Sequence, residues 1–238
     1  MRILVTRPAP DDAKQAELLR ARGHEPVLAP LLDIKFEQPC LDLDGVQALI
    51  VTSRNALRAL ATHPQAKQLT PLPLFAVGET TAAAARDVGF AQATTGPGKA
   101  AGLAERLRAE LDPANGALLH LAGEDLAFDL ASALPVFELR QPALYRAVPA
   151  VALPEEALKA LKAGKVEAAI LMSPRTAEIL VSLLRKEDAR ELGSRLICYC
   201  LSEAVAEAAS PLGSRRRVAA TLQEEDILAL IDSDAASL

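Results

Sequence analysis

Tryptophan is absent from this 238-residue chain, and only two tyrosines and five phenylalanines are present. Ala and Leu dominate instead, so the cores are expected to be built from small and aliphatic side chains. No stretch approaches the roughly 20 uninterrupted apolar residues that span a bilayer, so no membrane segment is expected. The start, Met1-Arg2-Ile3-Leu4-Val5-Thr6-Arg7-Pro8, lacks the long apolar region of a signal peptide and reads as an immediate strand. Three cysteines (Cys40, Cys198 and Cys200) form no metal motif, and the odd count argues against a disulfide framework. The cytoplasm is the expected compartment. His24, His63 and His120 are scattered without a metal-ligand pattern. Thr95-Gly96-Pro97-Gly98-Lys99 and Ala122-Gly123-Glu124 lack the spacing of a P-loop or a dinucleotide fingerprint. There is no G-x-S-x-G elbow, and a cysteine nucleophile is disfavoured. The net charge of −5 gives no support to nucleic-acid binding. It still admits a polyanionic small molecule, because a local field can oppose the global one.

What is present is an internal echo. Ile50-Val51-Thr52-Ser53-Arg54-Asn55-Ala56 describes an apolar strand that ends in a small polar residue and turns into a helix. The design returns at Ile170-Leu171-Met172-Ser173-Pro174-Arg175-Thr176. Upstream, Glu25-Pro26-Val27-Leu28-Ala29 is echoed by Gln141-Pro142-Ala143-Leu144-Tyr145. Downstream, Ala76-Val77-Gly78-Glu79-Thr80-Thr81-Ala82 is echoed by Cys200-Leu201-Ser202-Glu203-Ala204-Val205-Ala206. The length allows one large domain or two; the repeat favours two and predicts duplicated structure with a ligand-binding cleft between the copies.

The predicted elements alternate. Strands are expected at Arg2–Thr6, Pro26–Leu32, Ala48–Thr52, Leu74–Val77, Ala91–Thr94, Ala117–Leu121, Ala168–Met172 and Leu196–Cys200, with an extended run at Leu139–Val148. Helices are expected at Ala9–Arg22, with Ala13, Ala16 and Leu19 inward, and at Arg54–Leu60, Thr80–Asp87, Ala101–Leu111, Pro154–Ala163, Pro174–Arg185 and Glu203–Ala209. Another helix is expected from near Asp125, and a last one from Thr221, where Glu224 completes a capping box. Arg215-Arg216-Arg217 reads as a solvated loop or strand start, with a partner or anion patch as the alternative. Short apolar strands alternating with helices predict α/β architecture: parallel sheets covered on both faces, each of flavodoxin-like size.

Ser53, Thr80, Thr81, Ser173 and Ser202 follow strands at helix starts. Each can simply cap its helix. Collectively, such starts also attract carboxylates or phosphates, since free N–H groups and the helix dipole meet there. Arg7, near the end of the first strand, either assists such a receptor or is a surface charge. Tyr145 either fills the core or offers its phenol to a ligand, while Tyr199, in an apolar strand, reads as core. A two-domain sensor that binds an anion unchanged remains the rival reading from these residues. A nucleotide-dependent transferase is disfavoured by the missing glycine fingerprint.

In order and spacing, these residues resemble the uroporphyrinogen-III synthase family of tetrapyrrole biosynthesis. The resemblance is carried by Ile3-Leu4-Val5-Thr6-Arg7-Pro8, Val51-Thr52-Ser53-Arg54-Asn55-Ala56, Ala76-Val77-Gly78-Glu79-Thr80-Thr81-Ala82, Gly102-Leu103-Ala104, Leu144-Tyr145-Arg146 and Met172-Ser173-Pro174-Arg175-Thr176-Ala177. It implies two flavodoxin-like, three-layer parallel-sheet domains, duplicated and swapped, joined by a two-strand linker. One domain would comprise 1–33 with 151–238 and the other 36–148, with linkers near 33–37 and 144–151. It implies a cofactor-independent lyase, with no metal, that cyclises hydroxymethylbilane. The terminal hydroxyl leaves as water to give an azafulvene, and ring D is inverted through a spiro intermediate. The implied catalytic residue is Tyr145, assisting loss of the hydroxyl. The expected substrate-binding residues are Arg7, Ser53, Thr80, Thr81, Ser173 and Ser202. The expected form is a monomer that receives its substrate by transient handover from hydroxymethylbilane synthase. The sequence departs from the family pattern at Ser202, Ala204 and Val205, where many members carry a glycine and paired threonines. Glu124 follows Gly123 where an arginine is often found.

Overall fold

A computed structural model describes residues 1–186 and 190–236. The strands are β1 (Arg2–Val5), β2 (Glu25–Leu28), β3 (Leu32–Phe36), β4 (Val46–Val51), β5 (Leu74–Ala76), β6 (Ala93–Thr95), β7 (Ala117–Gly123), β8 (Leu139–Arg140), β9 (Ala143–Pro149), β10 (Ala168–Leu171), β11 (Ile197–Cys200) and β12 (Arg215–Val218). The helices are α1 (Asp11–Ala21), α2 (Arg54–Ala61), α3 (Ala66–Leu69), α4 (Glu79–Asp87), α5 (Ala100–Glu110), α6 (Leu130–Ala133), α7 (Glu155–Lys162), α8 (Pro174–Lys186), α9 (Arg190–Ser194), α10 (Glu203–Ala209) and α11 (Glu224–Ala235). The chain divides into two compact units, Met1–Asp33 with Val148–Leu238, and Ile34–Ala147.

The first unit holds a sheet in the order β12-β11-β10-β1-β2, with parallel neighbours throughout. Counted by appearance in the chain this is 2-1-3-4-5, the flavodoxin-like order. In the second unit the order β6-β5-β4-β7-β8 is also parallel. There β9 takes over the edge of β7 at Ala122 and Gly123, where β8 has ended, and β3 follows beyond β9. The internal echo equates β10 with β4 and β11 with β5. Substituting along the repeat, in which the echo of β2 falls at the start of β9, turns the first order into β6-β5-β4-β7-β9, the path of the second sheet. Each sheet therefore takes two strands from one copy of the repeat and three from the other.

Period-two alternation places the two faces of each strand in separate cores. In the first unit, Leu4, Ala169, Leu171, Cys198 and Cys200 pack with Leu161, Leu180 and Val205 of α7, α8 and α10. The alternate residues Ile3, Val5, Ala168, Ile170 and Tyr199 meet Leu19 of α1 and Ile227 and Ile231 of α11. In the second unit, Leu49, Val51, Leu119 and Leu121 face Leu57, Leu60 and Ala82. Ala48, Ile50 and Leu118 face Leu103, Leu107 and Leu130. Each unit is thus helix, sheet and helix in three layers. Tyr199 is fully buried, and its hydroxyl donates to Asp234 at 3.1 Å. Burial first, and then the Asp234 carboxylate, push its pKa well up, so this tyrosine is structural.

Several elements differ from expectation, for physical reasons. The inward face of α1 is Asp12, Gln15, Ala16 and Leu19, and Ala13 is exposed. Gln15 is tolerated inside because its amide donates to Glu224 Oε1 at 2.6 Å. No helix starts at Asp125. Residues 124–129 are irregular, and only the short α6 follows, capped where Asp129 accepts from Ser132 N at 3.0 Å. The last helix starts at Glu224 rather than Thr221, because Thr221 bonds Asp226 and Glu224 turns to Arg7 and Gln15. Arg215-Arg216-Arg217 forms the edge strand β12, where Arg217 pairs with Asp234 at 3.1 Å. The short α3 and α9 carried no helical pattern long enough to be read.

Candidate functional site

In an open α/β sheet, ligands bind beyond the carboxyl ends of the strands, where the direction of winding reverses. In the Ile34–Ala147 unit that reversal lies between β4 and β7. A cavity of about 320 Å³ opens there, within this unit alone. Its lining includes Thr52 and Ser53 after β4, Val77 after β5, His120 and Gly123 of β7, and Tyr145 of β9. Gly98 and Ala100 add the start of α5, and Asp125 to Phe128 add the loop after β7. The volume is at the small end for a ligand pocket.

Three hydroxyls in this cavity are placed to donate. Ser53 is the N-cap of α2, and its Oγ accepts from Asn55 N at 3.1 Å, which leaves its own hydrogen for a ligand. Thr52 Oγ1 lies 3.1 Å from His120 Nε2. Tyr145 is half-buried, and its hydroxyl meets no hydrogen-bonding partner among the described residues. Its ring lies against Gly123: a Cβ there would stand 2.6 Å from Tyr145 Cζ and 2.9 Å from its hydroxyl oxygen. The strand register explains this closeness, since β7 and β9 pair Gly123 with Tyr145, and Glu124 N donates to Tyr145 O at 2.9 Å. Helices α4 and α5 begin at Gly78 and Lys99 without side-chain caps, so their first N–H groups add positive potential.

His120 is 1% exposed. Its Nδ1 accepts from Gln141 Nε2 at 2.9 Å, and burial lowers its pKa to about 4. The imidazole is therefore neutral near pH 7. Asp125 is the one charged side chain among the described lining residues. A site of neutral O–H and N–H donors beneath helix starts is chemically suited to carboxylates.

The family model described as uroporphyrinogen-III synthase HemD matches residues 13–229. The chain belongs to the uroporphyrinogen-III synthase family. Its fold is similar to the crystal structure of uroporphyrinogen-III synthetase from Helicobacter pylori, with a TM-score of 0.68 and 20% identity over 98% of each chain. It is also similar to a mutant uroporphyrinogen III synthase from the extremely thermophilic bacterium Thermus thermophilus, with a TM-score of 0.57 and 19% identity over the full length of both chains. The comparison with curated proteins gave no match.

Of the site residues expected for a uroporphyrinogen-III synthase, Ser53 and Tyr145 line this one cavity. Thr80 and Thr81 do not cap: Gly78 holds the N-cap of α4, and both threonines sit inside the first turn, Thr80 exposed and Thr81 buried. Arg7, Ser173 and Ser202 belong to the other unit, after the neighbouring parallel strands β1, β10 and β11. Ser173 caps α8, its Oγ accepting from Thr176 N at 3.2 Å while Thr176 Oγ1 accepts from Ser173 N at 3.3 Å. Ser202 stands at the N-cap of α10 without a side-chain bond to the helix. Arg7 is held by Glu224 at 3.0 Å and by Asp11 at 3.3 Å, so a ligand would have to compete for it. Burial pushes the Cys200 thiol up to about 12 and raises that of Cys198, which leaves both unsuited to nucleophilic attack. Thr52, His120, Gln141 and Gly123 were not selected from sequence. The available signals were a polar residue next to Ser53 and a lone histidine inside the apolar run Leu118–Leu121.

Proposed function

We propose that this protein converts hydroxymethylbilane to uroporphyrinogen III, as a lyase that releases water and needs no cofactor. Family membership carries the assignment of the reaction. The free hydroxyl of Tyr145, held against Gly123 in the cavity beyond β4 and β7, supports the assignment of its site.

In this reading the cavity accepts the terminal pyrrole that bears the hydroxymethyl group. Tyr145 donates its proton to the departing hydroxyl oxygen, which leaves as water as the C–O bond breaks; the pyrrole N–H proton returns to the phenolate as the neutral azafulvene forms. Ring D then attacks that carbon through its substituted position. The spiro intermediate breaks and recloses with ring D inverted, and loss of a proton restores the pyrrole. Unguided closure gives the uninverted isomer, so the protein's task is orientation and charge stabilisation. Ser53, with Thr80 and Thr81 on α4, belongs to the proposed contacts for the substrate's eight carboxylates. Arg7, Ser173 and Ser202 are the proposed contacts from the other unit. The division into a discontinuous domain, 1–33 with 151–238, and a second, 36–148, is part of the same proposal. So are cytoplasmic location, a monomeric state and direct handover from hydroxymethylbilane synthase. No helix among the described residues is long and apolar enough to cross a membrane.

The test generates hydroxymethylbilane in situ, adds the protein, oxidises the product and separates isomers I and III. Isomer III forming in proportion to protein concentration is the expected result. Isomer I at the protein-free rate, from folded protein, would overturn the assignment.

A further inference from the structure

Beneath the cavity, three neighbouring strand ends bring Thr52, His120 and Gln141 into one line. Strands β4 and β7 pair Ile50 with His120, so that face of the sheet carries Ala48, Ile50 and then Thr52 beside Leu118 and His120. Strand β8 pairs with β7 at Leu118 and Leu119, which brings Gln141, just past its end, alongside His120. The contacts follow: Gln141 Nε2 stands 2.9 Å from His120 Nδ1, and His120 Nε2 stands 3.1 Å from Thr52 Oγ1.

Hydrogen-bond chemistry gives this line a direction. With the nitrogen end of the Gln141 amide toward the ring, that nitrogen only donates, so His120 Nδ1 accepts and carries no proton. A neutral imidazole then carries its one proton on Nε2, which donates to Thr52 Oγ1. The low pKa that burial imposes on His120 keeps the ring neutral near pH 7. With one lone pair of Thr52 occupied by the imidazole, the hydroxyl hydrogen has no acceptor in the protein among the described residues, and Thr52 lines the cavity.

We propose that His120 is a positioning residue that acts through Thr52: the Gln141–His120–Thr52 chain fixes the Thr52 hydroxyl as a donor aimed at a carboxylate of the ligand. The identity of that ligand rests on the function proposed above, while the direction of the chain does not. Packing alone would be met by an apolar side chain in place of His120. A buried imidazole with both nitrogens partnered is instead a means of setting which way a neighbouring hydroxyl points. Without the chain, Thr52 would be free to turn its hydrogen away and present a lone pair, which repels a carboxylate.

Two measurements on the full chain test this. The first is ¹⁵N NMR of histidine-labelled protein at pH 7, with the His120 signals identified by comparison with single substitutions of His24 and His63. A neutral ring protonated on Nε2 is expected. A ring protonated on Nδ1, or on both nitrogens, overturns the inference whatever the protein's activity. The second is a double-mutant cycle on KM and kcat for isomer III formation, using Thr52→Val and His120→Phe. Thr52→Val is expected to raise KM roughly tenfold, as loss of one charge-assisted hydrogen bond would. His120→Phe is expected to raise it to a similar extent alone and to add nothing in the Thr52→Val background. Independent, multiplying effects would assign His120 a purely structural role. If His120→Phe fails to fold, Gln141→Met serves in the same cycle, with a several-fold rise in KM expected only where Thr52 is intact. A wild type that forms no isomer III would defeat the ligand half of the inference, and the NMR result would still decide the direction of the chain.

Discussion

Gly123→Ala should damage the reaction more than the fold. The added Cβ would stand 2.6 Å from Tyr145 Cζ, 2.8 Å from Cε2 and 2.9 Å from the hydroxyl oxygen, where ordinary contact begins at 3.4 Å. The ring must therefore retreat by about 0.8 Å to bring 2.6 Å to 3.4 Å. Overpacking of a closed core costs about 1–3 kcal/mol. Tyr145 is only half-buried, so its ring can yield toward the cavity. The cost should lie near the lower end, at about 1 kcal/mol, visible as a small shift of the urea midpoint. Turnover is more sensitive, because displacing a catalytic group by about 1 Å can cost roughly 100-fold. We expect kcat for isomer III formation to fall by roughly 10- to 100-fold in folded protein. The control is the same substitution in a Tyr145→Phe background, where the misplaced hydroxyl is already gone and little further loss should appear. Wild-type turnover in Gly123→Ala, or an equal loss in both backgrounds, would refute the role given to the Gly123–Tyr145 contact.

Tyr145→Phe itself should lower kcat several-fold or more with little change in thermal unfolding, since only the hydroxyl is removed; wild-type turnover in a folded variant would take Tyr145 out of the mechanism. Acid should weaken the fold through His120, whose pKa of about 4 in the folded protein lies below the ordinary 6.5. The unfolded chain then binds more protons between those values, so stability is full above about pH 6.5 and falls by up to about 1.4 kcal/mol per pH unit as pH drops toward 4. Urea titrations at pH 7 and 5 should show a smaller difference for His120→Phe than for the wild type, and equal differences would exclude His120 as the source. Glu224→Ala leaves the buried Gln15 amide without its acceptor and Arg7 with Asp11 as its one remaining carboxylate among the described residues, at a cost of about 2 kcal/mol in urea unfolding; an unchanged midpoint would show that water replaces both bonds. Because the described cavity lining offers hydroxyl groups and no lysine or arginine, and Arg7, the one cation among the proposed contacts, is already paired with Glu224 and Asp11, KM should change by less than about threefold between low and high salt. A steep rise of KM with salt would point instead to a cationic clamp.

The alternation of strands and helices was legible because it is a local property: apolar runs such as Leu49–Val51 and Ile170–Leu171 precede polar residues that open helices. Duplication was legible in the same runs. Their equivalence extends to the sheets, where β10, β1 and β2 in one unit occupy the order held by β4, β7 and β9 in the other. The failures came where a distant partner outweighed local preference. Gln15 and Asp12 replace Ala13 on the buried side of α1 because Glu224, far along the chain, supplies an acceptor to Gln15. Glu224 has the spacing of a local capping box with Thr221, and that long-range bond is the reason it does not form one.

The cavity shows the same limit in its chemistry. Ser53 and Tyr145 stand out in sequence because each is a polar residue in a conspicuous place, at a strand end or among few aromatics. Thr52, His120 and Gln141 lie 68 and 21 residues apart along the chain and meet only through parallel pairing of β4, β7 and β8. No periodicity within one segment can reveal such a line. Gly123 is subtler still, for its significance is the absence of an atom that would displace Tyr145. A strand glycine is ordinarily a weakness in a sheet, and here it is what lets the Tyr145 ring lie against β7 with its hydroxyl unspent in the cavity.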